Sequence, residues 1–313
     1  MPEDQGVNGD RWTEQASKLL KSLGWEKIAD SNIDIEGTDG LKHGIDALFR
    51  YQDGYSAVKQ GFFLEAKRYR TTSFRDDKIQ DWVTALNKKI AELKRSSSFN
   101  ITYPAMSDSN PQNGLLMMWF HDITEFPKVK AKIDSAMLSV KVPKAYKAAG
   151  TRLFIISNTD ILRLASLVDA KMKWEQERTD NLSGKLQFYY PSSMAEGGAT
   201  RELDSLGIEY IFSKFVVAKA LERIGNGHRP SYVIFYFGDV VDIRSFISLK
   251  SALLLHNIIS EEASNIYLYC YNRDDNTRKI APDIETLFRL TPSTQFEMKS
   301  MNSFADLPDW MND

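Results

Sequence analysis

Apolar positions recur along the chain with two periods, and the switches between them outline the elements. In "DRWTEQASKLLKSLG" (10–24), Trp12, Ala16, Leu19, Leu20 and Leu23 fall on one helical stripe. Asp10 is placed to cap the start of that helix and Gly24 to end it. Three extended pieces follow: a short one over 25–29, "GIDALFRY" at 44–51, and "GFFLEAKRY" at 61–69. The Asp-Gly turn chemistry of "QDGYSAVKQG" between the last two predicts a hairpin. Helical spacing returns over 75–95 through Ile79, Trp82, Val83, Leu86, Ile90 and Leu93, and the polar stretch 96–113 reads as a loop. "GLLMMWF" (114–120) is apolar throughout, as a strand covered on both faces requires. A basic helical segment over 128–149 leads to another buried strand at 151–157.

This order predicts an α/β chain: a mixed central sheet flanked by helices, followed by a second, smaller α/β domain. The first domain spans 1–170, a linker or loop 171–200, and the second domain 201–313. In the second, "IEYIF" (208–212) leads to a helix striped by Phe215, Ala218 and Leu221. A strand at 232–238, a helix at 245–259 and a strand at 266–271 complete it. No internal repeat relates the halves.

Composition narrows the class. The 313 residues are 42% hydrophobic and 26% charged, typical of a globular protein, with no apolar run near the roughly 20 residues that span a bilayer. The acidic, polar N-terminus does not read as a secretory signal, so a cytoplasmic protein is expected. Cys270 is the single cysteine, which excludes an internal disulfide and a cysteine zinc cage. Net charge is −2, but residues 60–95 carry nine basic against five acidic residues, a local excess suited to attracting phosphates.

The unusual feature is a pair of charges inside an apolar strand. Residues two apart on a strand face the same side, so Glu65 and Lys67 project together while Leu64 and Ala66 point away. Buried charges are costly unless paired, and a structural ion pair is the competing reading. Asp46, on the hairpin partner, can join them. Carboxylates from two adjacent strands, with the Ala66 carbonyl, can hold one hard divalent cation, Mg²⁺ or Mn²⁺.

The arrangement Asp46-x18-Glu65-Ala66-Lys67 in a helix–strand–hairpin–helix setting resembles the PD-(D/E)xK nuclease superfamily, the restriction-endonuclease-like fold, over roughly residues 9–160. The resemblance implies that Asp46 and Glu65 hold the metal and that Lys67 orients or activates the attacking water. It implies supporting roles for Glu14 on the first helix and Gln80 on the helix after the motif. The chain departs from the pattern in having Gly44-Ile45 before the aspartate, where the family has proline.

Context separates this motif from its look-alikes. Glu92-Leu93-Lys94 also matches, but on a helix residues two apart diverge by about 200°. Glu297-Met298-Lys299 matches without a closely preceding acid-bearing apolar strand. Glu14 falls opposite its helix's apolar stripe and Gln80 beside its own, so solvent exposure competes with a site role for both. Arg68, Arg70 and Arg75 follow the motif and can grip phosphates or serve as plain surface charge. For His121-Asp122 a loop role, and for Asp239 and Asp242 a helix-capping role, outweighs catalysis.

The expected function is a Mg²⁺-dependent endonuclease cutting DNA, of the kind that family analogy places in bacterial restriction or anti-phage defence. It would work with nucleic acid, a possible second protein subunit and a possible homodimer, and without a membrane. The alternative is a nucleic-acid-binding or scaffolding protein that keeps the fold and does not cut.

Overall fold

The computed structural model describes residues 7–142, 150–191, 200–240, 242–259, 264–271 and 275–312. The chain divides into two compact units. The first comprises Met1–Gln52, Val58–Ile161 and Ala305–Asp313. Its elements are α1 (Val7–Ser22), β1 (Glu26–Lys27), β2 (Ile33–Glu36), β3 (Lys42–Ile45), β4 (Ala47–Tyr51), β5 (Gln60–Tyr69) and α2 (Asp77–Leu93). After them come α3 (Ser97–Thr102), α4 (Pro104–Ser107), β6 (Asn110–Phe120), α5 (Phe126–Ser139) and β7 (Arg152–Ile156).

A five-stranded sheet in the order β1-β4-β5-β6-β7 forms the centre of this unit. The predicted hairpin is present: β4 and β5 pair antiparallel, with Ala47 opposite Leu64 and Phe49 opposite Phe62. β5, β6 and β7 run parallel, and α2 makes the crossover from β5 to β6 that parallel neighbours require. One sheet face presents Leu48, Phe63, Leu116, Met118 and Phe120 to the apolar stripe of α2, including Ile79, Val83, Leu86 and Ile90. Against the other face lies α1, whose buried Trp12 donates its indole N–H to the Met117 carbonyl at 3.3 Å.

Close packing of α2 on the sheet depends on Gly114, opposite Phe63 in the β5–β6 ladder. A Cβ there would lie 2.5 Å from Leu153 Cδ2 and 2.9 Å from both Ile90 Cδ1 and Leu86 Cδ2. Gly114→Val is therefore expected to lower stability by about 1–3 kcal/mol through overpacking, read as a lower urea midpoint with an unchanged m-value.

Several local expectations need correction. The stretch 44–51 is not one strand. It breaks at Asp46, with β3 pairing to β2 (Ile45 opposite Ile33) and β4 pairing to β5. The β2–β3 ribbon was hidden because each strand has only four residues, half of them polar. The polar stretch 96–113 is not a plain loop. Ser96 caps α3, accepting from the Phe99 N–H, and Phe99 and Met106 bury themselves in the core. The basic helix ends at Ser139, and residues 143–149 lie outside the described residues.

The second unit comprises Asp53–Ala57 and Leu162–Phe304. The helix α6 (Asn158–Glu177) precedes β8 (Gln187–Tyr190), β9 (Arg201–Leu203), β10 (Phe215–Ile224), β11 (Gly227–Tyr236) and α7 (Ile243–Leu255). β12 (Asn265–Cys270), α8 (Asp275–Phe288) and β13 (Gln295–Ser300) close it. The sheet order is β13-β12-β11-β10-β8-β9, parallel from β11 to β13 and antiparallel beyond. The stretch 171–200, expected as linker, holds the end of α6 and β8, while 192–199 lie outside the described residues.

The helix expected through Phe215, Ala218 and Leu221 is a correction: those residues sit on β10. In "FVVAKALERI" the buried Val216, Ala218, Ala220 and Glu222 alternate with more exposed neighbours beyond Val217, which is the strand period. "IEYIF" is a 3₁₀ turn.

Candidate active site

The candidate site lies in the first unit, where the ten-residue strand β5 passes the break between β3 and β4. Glu65 is 7% exposed, and its strand-mate Lys67 projects from the same face. Lys67 Nζ lies 2.9 Å from Glu65 Oε1. The backbone break frees Asp46 from both ladders. Its Oδ2 accepts the Ala66 N–H at 2.7 Å, while its carbonyl accepts the Asn32 N–H at 3.0 Å. The aspartate is thus tied to the residue between Glu65 and Lys67.

The two carboxylates titrate in opposite directions. Burial and then the charge of Glu65 push Asp46 up to about 6, against the bond from Ala66 and the pull of Lys67 and Lys89. Burial also pushes Glu65 up, but the ammonium groups of Lys67 and Lys89 outweigh it and leave its pKa lowered. Two adjacent carboxyls whose environments push their pKa values apart occur both at functional sites and in structural ion networks.

Lys89 went unrecognised in the sequence. It reaches from α2 to place Nζ 2.7 Å from Glu65 Oε2, so each oxygen of Glu65 carries an ammonium. The available signal was its position three residues after Leu86 and beside Ile90, at the edge of the buried stripe.

The other sequence candidates stand elsewhere. The Glu14 carboxylate is 60% exposed, accepts a hydrogen bond from Ser31 Oγ, and lies 3.5 Å from Lys27 Nζ. Ser31, its hydrogen-bond donor, precedes Asn32, whose N–H bonds the Asp46 carbonyl. Gln80 precedes Lys89 by nine residues on α2, about 13 Å along the axis. Its carboxamide instead exchanges two hydrogen bonds, both 2.8 Å, with the backbone of Lys141. Arg75 pairs with Asp77, Arg70 lies exposed after β5, and Arg68 projects from the face of β5 opposite Lys67. Asp122 bonds Thr124 and Thr71, and Asp242 caps α7 through the Arg244 N–H at 2.8 Å. On β13, Glu297 and Lys299 do share a face, but Arg178 and Glu177 complete a salt-bridge chain there.

Among the described residues no group of three histidine, cysteine or acidic side chains could hold a metal. The oxygen ligands that the candidate site brings together are the Asp46 and Glu65 carboxylates. They suit a hard cation such as Mg²⁺, which binds through one or two carboxylates and keeps several waters. Burial first and the Glu65 charge second raise the pKa of Asp46, and a nearby cation would act against both.

Residues 1–160, slightly more than half the chain, match the family model described as GAPS4 protein PD-(D/E)XK nuclease domain. The chain belongs to this family. No curated protein matches it. The PD-(D/E)XK domain covers the five-stranded sheet with its flanking helices and ends within α6, so the larger part of the second unit lies beyond it. Membership makes the chain a nuclease by class, with nucleic acid as its ligand, and nucleases of this kind generally use divalent metals. Among the described residues no helix is long and apolar enough to cross a membrane.

Proposed function

We propose that this protein is a Mg²⁺-dependent endonuclease that hydrolyses DNA phosphodiester bonds in bacterial restriction or anti-phage defence, with Mn²⁺ able to substitute. The observation that carries the reading is the convergence of Asp46, Glu65 and Lys67 through the Ala66 N–H bond and the Glu65–Lys67 pair. Asp46, Glu65 and the Ala66 carbonyl would hold the cation. When bound, the metal lowers the pKa of water and offsets charge on the phosphate oxygens.

The chain supplies the positioning. Lys67 Nζ, fixed against Glu65, orients the water in line with phosphorus and stabilises the extra negative charge as the new P–O bond forms and the ester P–O bond breaks. Asp46, with Oδ2 held by the Ala66 N–H, keeps its other oxygen available. The second unit would select the substrate or dock a partner subunit.

One observation favours the alternative of a non-cutting binding protein: Lys67, Glu65 and Lys89 are paired within a largely buried ion network, as a structural ion cluster would be. Incubating plasmid DNA and single-stranded RNA with Mg²⁺ or with EDTA separates the readings. The expected result is Mg²⁺-dependent DNA cleavage that falls at least about a hundredfold in Lys67→Met. Undiminished cleavage by Lys67→Met, or cleavage in EDTA, would overturn the assignment. Preference for RNA would overturn the substrate.

A further inference from the structure

We infer that Lys89 holds the cation's place on Glu65 in the metal-free protein and transfers to the phosphate of the nucleic acid when the metal binds; this rests on the metal-dependent reading above. Both oxygens of Glu65 carry an ammonium, at 2.9 Å from Lys67 and 2.7 Å from Lys89. A divalent cation on either oxygen would sit within a few ångströms of both positive groups, so one of them must withdraw. Lys67 is rooted on the same strand two residues away and on the same face, so its ammonium remains within reach of the carboxylate. Lys89 comes from a different element, α2, on a flexible four-carbon stem whose root lies at the edge of the buried stripe.

The charge balance agrees. Asp46 and Glu65 together with Lys67 and Lys89 are neutral without a metal, which lets the site be buried before loading. With a divalent cation added, the cluster as a whole carries a double positive excess, which a singly negative phosphodiester halves and a doubly negative phosphorane-like transition state balances. Released from Glu65, the Lys89 ammonium is the mobile part of that excess, a point charge on a long arm suited to phosphate oxygens. The neighbouring Lys88 has a separate commitment, 3.3 Å from Asp39, and shares none of this.

Two roles give opposite signs in a binding experiment that needs no cleavage. If Lys89 only stabilises Glu65, removing it loosens the site and weakens metal binding. If it occupies the cation's place, removing it relieves competition and strengthens binding. Mn²⁺ alone is titrated calorimetrically into the full-length protein at pH 7.5, without nucleic acid, for wild type, Lys89→Met, Lys89→Gln, Lys88→Met and Glu65→Gln. The expected result is Mn²⁺ binding about five- to tenfold tighter in both Lys89 variants, unchanged within about twofold in Lys88→Met, and lost in Glu65→Gln. Cleavage by the Lys89 variants is expected to fall about tenfold or more despite the tighter metal, because the phosphate contact is gone.

Equal or weaker Mn²⁺ binding in variants whose circular dichroism and melting match wild type overturns the inference while leaving the nuclease reading intact. Cleavage that rises in parallel with metal affinity overturns the phosphate role. Absence of any Glu65-dependent Mn²⁺ binding removes the metal-dependent reading itself, and the inference with it.

Discussion

Asp46→Asn is expected to lose cleavage while gaining stability. Loss follows from the donor set. Only two carboxylates serve the site, and an amide is a far poorer partner for a hard cation than the ion it replaces. Mutating a group that merely supports a metal ligand costs 10–100-fold, so removing a ligand charge is expected to exceed about a hundredfold. The gain follows from the pKa. Asp46 is pushed from an ordinary 3.8 up to about 6 by burial and by Glu65, so ionising it in the folded protein is unfavourable.

Below pH 3.8 the carboxyl is protonated folded or unfolded and has no pH-dependent effect on stability. Between 3.8 and about 6 the folded protein keeps a proton that the unfolded chain has released, so stability falls as pH rises. Above 6 the cost is constant, about 1–3 kcal/mol for a shift of this size. Asparagine cannot ionise, and its carbonyl oxygen can still accept the Ala66 N–H. Urea melts at pH 7.5 and pH 4 are expected to show Asp46→Asn ahead of wild type at the first and level with it at the second. A variant that melts lower at pH 7.5 would contradict the electrostatic account, and one that still cuts would displace Asp46 from the site.

The motif itself was legible because its signals are local. Glu65 and Lys67 sit two apart in a run of Phe62, Phe63, Leu64 and Ala66, and the Asp53-Gly54 pair signals the β4–β5 hairpin that brings Asp46 near. What escaped was decided elsewhere in the chain. Lys89 is one of nine basic residues between 60 and 95, and only the docking of α2 across β5 and β6 distinguishes it. The break at Asp46 depends on β3 leaving β4 to pair with β2, a partnership of two four-residue strands without a hydrophobic signature. On β10, Phe215, Ala218 and Leu221 mimic a helical stripe by spacing alone, whereas the sheet uses the alternate set. The family resemblance points to Gln80 and Glu14 through their place along helices. The carboxamide of Gln80 was claimed by a backbone it happened to face, that of Lys141, which no short-range pattern reports.

Glu65→Gln is expected to lose cleavage as Asp46→Asn does, and to lose stability where Asp46→Asn gains it. The substitution leaves the Lys67 and Lys89 ammonium groups facing a neutral amide, on side chains only 15% and 20% exposed. Removing one partner of a buried ion pair costs about 3–5 kcal/mol, and partial solvent access with the nearby Asp46 charge reduces that here to about 2–4 kcal/mol. The pH dependence is also reversed. Because the lysines hold Glu65 below its ordinary 4.5, its contribution is fully present above that pH and is lost as pH falls through the lowered value. The deficit of Glu65→Gln against wild type is therefore expected to be largest at neutral pH and to shrink as pH falls below 4.5.

Adding Lys89→Met to Glu65→Gln removes one of the two stranded charges. Stability is then expected to recover by at least about 1 kcal/mol relative to Glu65→Gln alone, a non-additivity that a double-mutant cycle reads directly. Strict additivity would show that Lys89 and Glu65 do not interact in solution. An equal loss for Asp46→Asn and Glu65→Gln would mean that the two acids share one environment, against the opposite directions in which burial, mutual repulsion and the two lysines drive them.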